Sequence, residues 1–291
     1  MHVMIFGCGY SGKAIARSFA GPGVRISGTT RSTDNLASLK RLGIETFVFD
    51  GVEMEPSLRE ELKGVTHLVQ SIAPGQDGDP AIRLIGSDLR GAMPKLKWIG
   101  YLSTVGVYGD HKGGWVNEET PCKPVSDRSV ERIRAEQAWM ELGGKKGEIA
   151  AAVLRLAGIY GPGRNAFCNL EKGTARRLIK KDQVFNRIRV EDIGAATAFL
   201  AAGNHGGIYN ITDDEPCPPQ DVVIEAARLM SVEPPPEQPF ETAELTPMAR
   251  SFYGENKRVS NRRIRDLGFV FAFPEYRMSL AQLWHSDTWR G

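Results

Sequence analysis

Residues 2–32, HVMIFGCGYSGKAIARSFAGPGVRISGTTRS, decide the fold. They open on an unbroken apolar run, turn on glycines, continue with apolar residues at helical spacing and close on a second buried run. A strand without polar alternation is covered on both faces, the mark of a parallel sheet between helix layers. Gly7, Gly9 and Gly12 form G-x-G-x-x-G at the junction of strand and helix. The first glycine permits the tight turn, the second lets backbone approach a pyrophosphate, and the third lets the helix pack closely on the sheet. Amide groups of the first helical turn then face the phosphate charge. Gly7, Gly9, Tyr10, Ser11 and Gly12 are the expected dinucleotide contacts.

The end of the second strand separates the two nicotinamide cofactors. A carboxylate there would bond the ribose hydroxyls of NAD and repel the extra phosphate of NADP. This chain instead ends the strand GTTRS, with Thr30 and Arg31 in that place. Arg31 carries a planar fork of donors suited to phosphate, and Ser32 and Thr33 add hydroxyls. NADP is the expected cofactor, with NAD less favoured.

Further along, NLASLKRLG, LREELKG and PAIRLIGSDLRGAM (80–93) read as helices alternating with the strands IETFVFD, THLVQSIAP and LKWIGYLSTVGVYG. Such alternation predicts an α/β, doubly wound parallel sheet whose ligands lie at the carboxyl ends of the strands. Those ends hold Asp50, Ala73, Pro74 and Thr104 beside the residues already named. Asp50 has two readings, an acceptor for the adenine amine or the cap of a turn.

Composition narrows the classes. With 291 residues, 25% charged and a net charge of +2, the chain is an ordinary globular protein with no general affinity for nucleic acid or acidic membranes. The basic run NKRVSNRRIR (256–265) reads as the solvated side of a helix, and SVEPPPEQP (231–239) as a stiff surface connection. Cys8, Cys122, Cys168 and Cys217 form no C-x-x-C pair, so no metal site is expected and reduced thiols fit the cytoplasm. No apolar run reaches the length of a membrane span.

Taken in order, GCGYSG, GTTRS, SIAP, YLSTVGVYG, LRLAGIYGPGR, RIRVEDIG and the closing KRVSNRRIRDLGFVFAFPEYRMSL resemble the extended short-chain dehydrogenase/reductase family, the NAD(P)-dependent epimerase/dehydratases. The resemblance covers nearly the whole chain. It implies a Rossmann domain over 1–160 and a smaller substrate-side domain over 161–291, interleaved around 186–212. It also implies hydride transfer assisted by a serine or threonine, a tyrosine and a lysine, on a substrate that is often a nucleotide sugar.

Here the chain departs from the family. Thr104 matches the family's hydroxyl residue, four positions before Tyr108. Counting back from Glu136 in SDRSVERIRAEQAW (126–139) puts Arg132 at the lysine and Arg128 at the tyrosine, and no tyrosine lies between Tyr108 and Tyr160. A guanidinium keeps its proton across the working range of proteins, so Arg128 cannot exchange a proton with substrate, although it can stabilise negative charge. Arg132 could still bond the nicotinamide ribose. Three readings stay open. In one, the acid comes from Tyr108, with Tyr160 and His111 behind it. In another, the arginines clamp an acidic substrate. In the third, the protein binds NADP(H) without turnover as a sensor. Arg164, Asn165, Asn186, Arg187 and Arg189 are candidates for an anionic substrate or for surface ion pairs, and Glu191 and Asp192 for helix capping. The resemblance further implies a homodimer paired through residues 80–93 and 129–142, with Trp139 and Leu142 either giving apolar surface or lying on the sheet. A small-molecule substrate is the expected partner.

Overall fold

The computed structural model describes residues 1–86, 88–144 and 149–291. Two compact units divide the chain, one of Met1–Val107, Pro124–Leu156 and Ile193–Tyr209, the other of Tyr108–Lys123, Ala157–Asp192 and Asn210–Gly291. The sequence reading put a boundary at residue 160 with interleaving around 186–212, and the structure divides the chain by an exchange of segments. Residues 108–123 leave the first unit early, and 193–209 return to it.

In chain order, β1 (His2–Phe6), β2 (Arg25–Thr30), β3 (Glu45–Val48), β4 (His67–Gln70) and β5 (Trp98–Thr104) alternate with α1 (Tyr10–Phe19), α2 (Leu36–Lys40), α3 (Pro56–Leu62), α4 (Pro80–Ile85) and α5 (Leu89–Ala92). Then come β6 (Trp115–Val116), α6 (Asp127–Gly144), β7 (Ala150–Leu156), β8 (Gly158–Tyr160), α7 (Ala166–Glu171), β9 (Arg177–Ile179), β10 (Arg187–Arg189), α8 (Val190–Ala202) and β11 (Gly207–Ile211). Seven strands form one sheet in the order β11-β7-β5-β4-β1-β2-β3. The pairs β1–β2, β2–β3, β1–β4, β4–β5 and β5–β7 are parallel. Because β2 and β4 flank β1, the winding reverses there, which opens a crevice at the carboxyl ends of these strands.

All five residues of β1 are buried, as an apolar run between two helix layers requires. The Phe6 and Phe49 rings meet edge to face at 5.1 Å in the core of this unit. Asp79 supplies the polar counterpart. Its Oδ1 caps α4 by accepting from Ala81 and Ile82 amides and also accepts from Gln70, while its Oδ2 accepts from Trp139 Nε1 at 3.0 Å. One carboxylate thereby ties β4, α4 and α6 together, and burial raises its pKa.

Several expectations are corrected. The helix foreseen over 80–93 is two short ones, because Gly86 takes a left-handed φ of 77° after α4; Ser87 lies outside the described residues. Trp139 is 1% exposed and so offers no apolar surface, while Leu142 packs partly buried against the same core. In the basic run, Lys257 is buried and donates to the Gly109 carbonyl, while Arg258–Val259 is a strand, β13, pairing with β6. The helical part is Arg262–Asp266, where Arg263 and Arg265 pair with Glu119 and Asp214. Within the proline-rich stretch, Glu237–Pro239 forms β12 and pairs with β9.

The second unit has its own core, in which Phe167, Tyr276, Leu280, Leu283 and Trp289 are buried together. Asp192 does not simply cap α8. Its two oxygens accept from the Ala272 and Phe273 amides at 2.8 and 3.0 Å, fixing the segment before Tyr276. Glu191 turns back to pair with Arg189.

Candidate active site and dinucleotide cleft

A cleft of about 510 Å³ opens in the first unit where β1, β2 and β4 end. It is lined by Gly7, Gly9, Thr30, Arg31, Ser32 and Ala73 from the sequence reading, together with Cys8, Thr29, Asn35, Phe49, Ser71 and Ile72. Gly7 holds a φ of 90°, which a residue with a side chain rarely adopts. Its amide donates to Thr29 Oγ1 and the Cys8 amide to the Thr29 carbonyl, so the glycine turn is bonded to β2. A Cβ on Gly12 would sit 2.6 Å from the Gly7 carbonyl oxygen, whereas one on Gly9 would meet nothing within 4 Å. Gly12 is therefore small for packing and Gly9 for approach from outside. No side chain caps the start of α1, and the amides of a helix N-terminus suit an anion. Tyr10 and Ser11 occupy that turn, half-buried.

Ser32 accepts from the Asp34 amide and donates to the Asp34 carboxylate, so its hydroxyl is partly engaged in the turn it caps. Asp50 takes the turn-capping role, accepting from the Val52 amide at 2.8 Å, and neither it nor Pro74 lines the cleft. Phe49, from the stretch read as the third strand, stands in the wall instead. Cys8 was overlooked because it is the variable residue of the glycine motif. It is 5% exposed, and burial pushes its thiol up to about 12.

At the carboxyl end of β5, Thr104 Oγ1 accepts from the Gly106 amide at 3.1 Å. Opposite it, α6 presents Arg128 exposed and Arg132 donating to the Leu102 carbonyl. Glu136, one turn further, accepts from Ser103 and forms a buried ion pair with Arg155 at 2.7 Å. This pair explains why Glu136 belongs to the interior rather than to the reacting region.

The alternative acids lie in the second unit. Tyr108 is fully buried and donates to Asn210 Oδ1 at 2.8 Å, and His111 Nε2 lies 3.1 Å from the Tyr108 carbonyl oxygen. Burial raises the pKa of Tyr160, whose hydroxyl lies in the field of Asp213, Arg189 and Arg187. Asp213, which the sequence did not single out, is 1% exposed with both carboxylate oxygens lacking a hydrogen-bond partner. Burial raises its pKa well above the usual range, and Arg187 opposes that shift. Of the anion candidates, Arg189 bonds Glu191, Ser279 and Gln282, and Arg187 bonds the Phe185 carbonyl and Cys217. Asn165 caps α7, Asn186 holds Lys257 and Val259, and Arg164 is exposed.

Residues 3–212 match the model of the NAD dependent epimerase/dehydratase family. Protein YeeZ of Escherichia coli strain K12 is 30% identical over 94% of this chain and 96% of its own length. A conserved protein of unknown function from Silicibacter pomeroyi DSS is 44% identical, with a TM-score of 0.89 over 99% of both chains. The dTDP-glucose 4,6-dehydratase of Bacillus anthracis, solved with NAD, shares the fold at 17% identity and a TM-score of 0.77, over 99% of this chain and 97% of that one.

Proposed function

The chain belongs to the NAD dependent epimerase/dehydratase family, and from that premise we propose that it binds NADP(H) and acts as an oxidoreductase or epimerase on a small carbonyl or nucleotide-sugar-like substrate, without the family's Tyr-x-x-x-Lys pair. The observation that carries the cofactor choice is the cleft wall: Arg31 and Asn35 stand in it, and no carboxylate does among its described residues. An acid after β2 would repel a ribose phosphate, and a guanidinium attracts it.

The residues present fit a dinucleotide. Gly7 and Gly9 admit the pyrophosphate to the uncapped end of α1, Gly12 keeps the helix against the sheet, and Arg31 neutralises the additional phosphate. When bound, the nicotinamide would supply or accept a hydride. Thr104 would orient a substrate oxygen, and Arg128 would stabilise negative charge developing on it. With no tyrosine on α6, the proton must come from another side chain, from solvent or from the substrate. The engagement of the Tyr108 hydroxyl by Asn210 favours a second reading, an NADP(H) sensor without turnover.

Fluorescence titration with NADPH and NADH tests the cofactor, and equal affinities would reject NADP. A panel of carbonyls and nucleotide sugars, followed by NADPH absorbance with epimer products assayed separately, then tests turnover. Consumption or epimerisation supports the enzyme. Tight NADPH binding with silence across the panel, and a partner that distinguishes NADPH from NADP, supports the sensor.

A further inference from the structure

One wall of the dinucleotide cleft, formed by Ser71, Ile72 and Ala73, is held from inside the first unit. Gln70 precedes it at the end of β4, beside Phe6 of β1, and is fully buried. The Ser71 amide donates to the Phe6 carbonyl at 2.9 Å, which fixes the start of the segment. There the chain leaves the sheet, and the Ile72 amide donates instead to Gln70 Oε1 at 3.2 Å. A Cβ on Gly7 would stand 3.0 Å from Ile72 Cγ1 and 3.3 Å from the Ile72 nitrogen, so this wall and the glycine turn already press on each other.

Asp79 sets the orientation of the Gln70 amide. Its Oδ1 accepts from the Ala81 and Ile82 amides at 2.9 and 3.2 Å, so it offers Gln70 an acceptor, and Gln70 Nε2 donates to it at 2.7 Å. Gln70 Oε1 is thereby turned to Ile72. The carboxylate is fixed in its turn, because Trp139 Nε1 donates to Oδ2 at 3.0 Å. Order imposed on Asp79 by α4 and α6 thus passes through a single side-chain amide to the backbone of a residue that lines the cleft.

We propose that Gln70 is a positioning residue for the dinucleotide: oriented by Asp79, it holds the Ile72 amide and so keeps the Ser71–Ala73 wall set against the glycine turn before the cofactor arrives. This rests on the reading that the cleft takes a dinucleotide, and it adds to that reading a residue outside the cleft lining. A wall ordered in advance spares binding the cost of ordering it. Loosening the wall weakens NADPH and NADH alike, whereas Arg31 discriminates between them.

NADPH and NADH are titrated by fluorescence against the full chain and its variants, with folding followed by circular dichroism and urea denaturation, and Ile72 amide exchange by NMR. Gln70→Met fills a similar space without either hydrogen bond, and is expected to weaken both cofactors about tenfold and to speed Ile72 exchange. Leu58→Ala, which truncates a buried side chain of the same core on α3, controls for lost stability and should keep the parent affinity while folded. Gln70→Glu retains an acceptor for Ile72 and, as one of two adjacent buried carboxyls, shares a proton with Asp79 at acid pH. There it should recover the affinity that Gln70→Met lacks. Parent affinity in folded Gln70→Met, an equal loss in Leu58→Ala, or no recovery in folded Gln70→Glu would overturn the role. A parent that binds neither cofactor would overturn the cofactor reading and this role with it. A parent that binds both equally would reject only the choice of NADP, since the role of Gln70 is read on either cofactor.

Discussion

Arg31 and Asp213 show how differently single residues declare themselves. Arg31 is legible in the sequence because cofactor choice depends on the charge at the end of one strand, a local property. Its replacement by alanine should lower NADPH affinity about tenfold or more while leaving NADH little changed, since a charge-assisted hydrogen bond contributes about 1.5–3 kcal/mol. Paired fluorescence titrations check this. Gly12→Ala should abolish both affinities, because the added Cβ would meet the Gly7 carbonyl oxygen at 2.6 Å and displace the turn. Asp213 looks in sequence like any acid of a polar loop; burial chiefly, with the neighbouring Glu215 and Asp214 charges, raises its pKa. The native state therefore holds its proton more firmly than the unfolded chain does. That contribution to stability is present below the unfolded pKa and is lost as pH rises from there toward the folded pKa. Asp213→Asn should accordingly lose less stability than the parent as pH rises above the range in which an unfolded carboxyl titrates. Thermal melts across that rise would contradict this if the two curves ran parallel.

Helix α6 is the element on which the reading of function turns. Its place after β5, its start at Asp127 and the positions of Arg128 and Arg132 follow from the sequence, because capping and helical spacing are local. Its inward face does not follow. Glu136 was read as a landmark for counting back to the arginines, and it proves to be one half of a buried ion pair with Arg155. Removing one partner of such a pair leaves the other charge stranded, so Glu136→Ala should cost about 3–5 kcal/mol. Urea denaturation measures that loss. A similar limit explains the region 80–93, where apolar spacing alone suggested one helix and the backbone of Gly86 breaks it.

At the scale of the whole molecule, the chain visits each unit more than once. Residues 193–209, which bring most of α8 and the start of β11 to the first unit, follow residues 157–192 of the second. Gly194 lies so close to α1 that an added Cβ would stand 2.6 Å from the Ala14 carbonyl oxygen, so α8 covers α1 tightly. A fragment ending at residue 160 would lack this cover and the edge strand β11. It should show weak near-ultraviolet dichroism and elute as expanded or aggregated material, whereas the full chain gives a sharp, folded profile.

The sequence by itself determined the doubly wound sheet, the glycine turn, the absence of an acid at the end of β2 and the missing tyrosine on α6. Each of these is written in neighbouring residues, through apolar periodicity, glycine spacing or one side chain's charge. Tertiary structure alone decided that Phe49 rather than Asp50 lines the cleft, and that Tyr108 spends its hydroxyl on Asn210. Those outcomes depend on partners about 20 to 100 positions away, and burial, hydrogen bonding and pKa are set by what the folded chain brings together rather than by what adjoins in sequence.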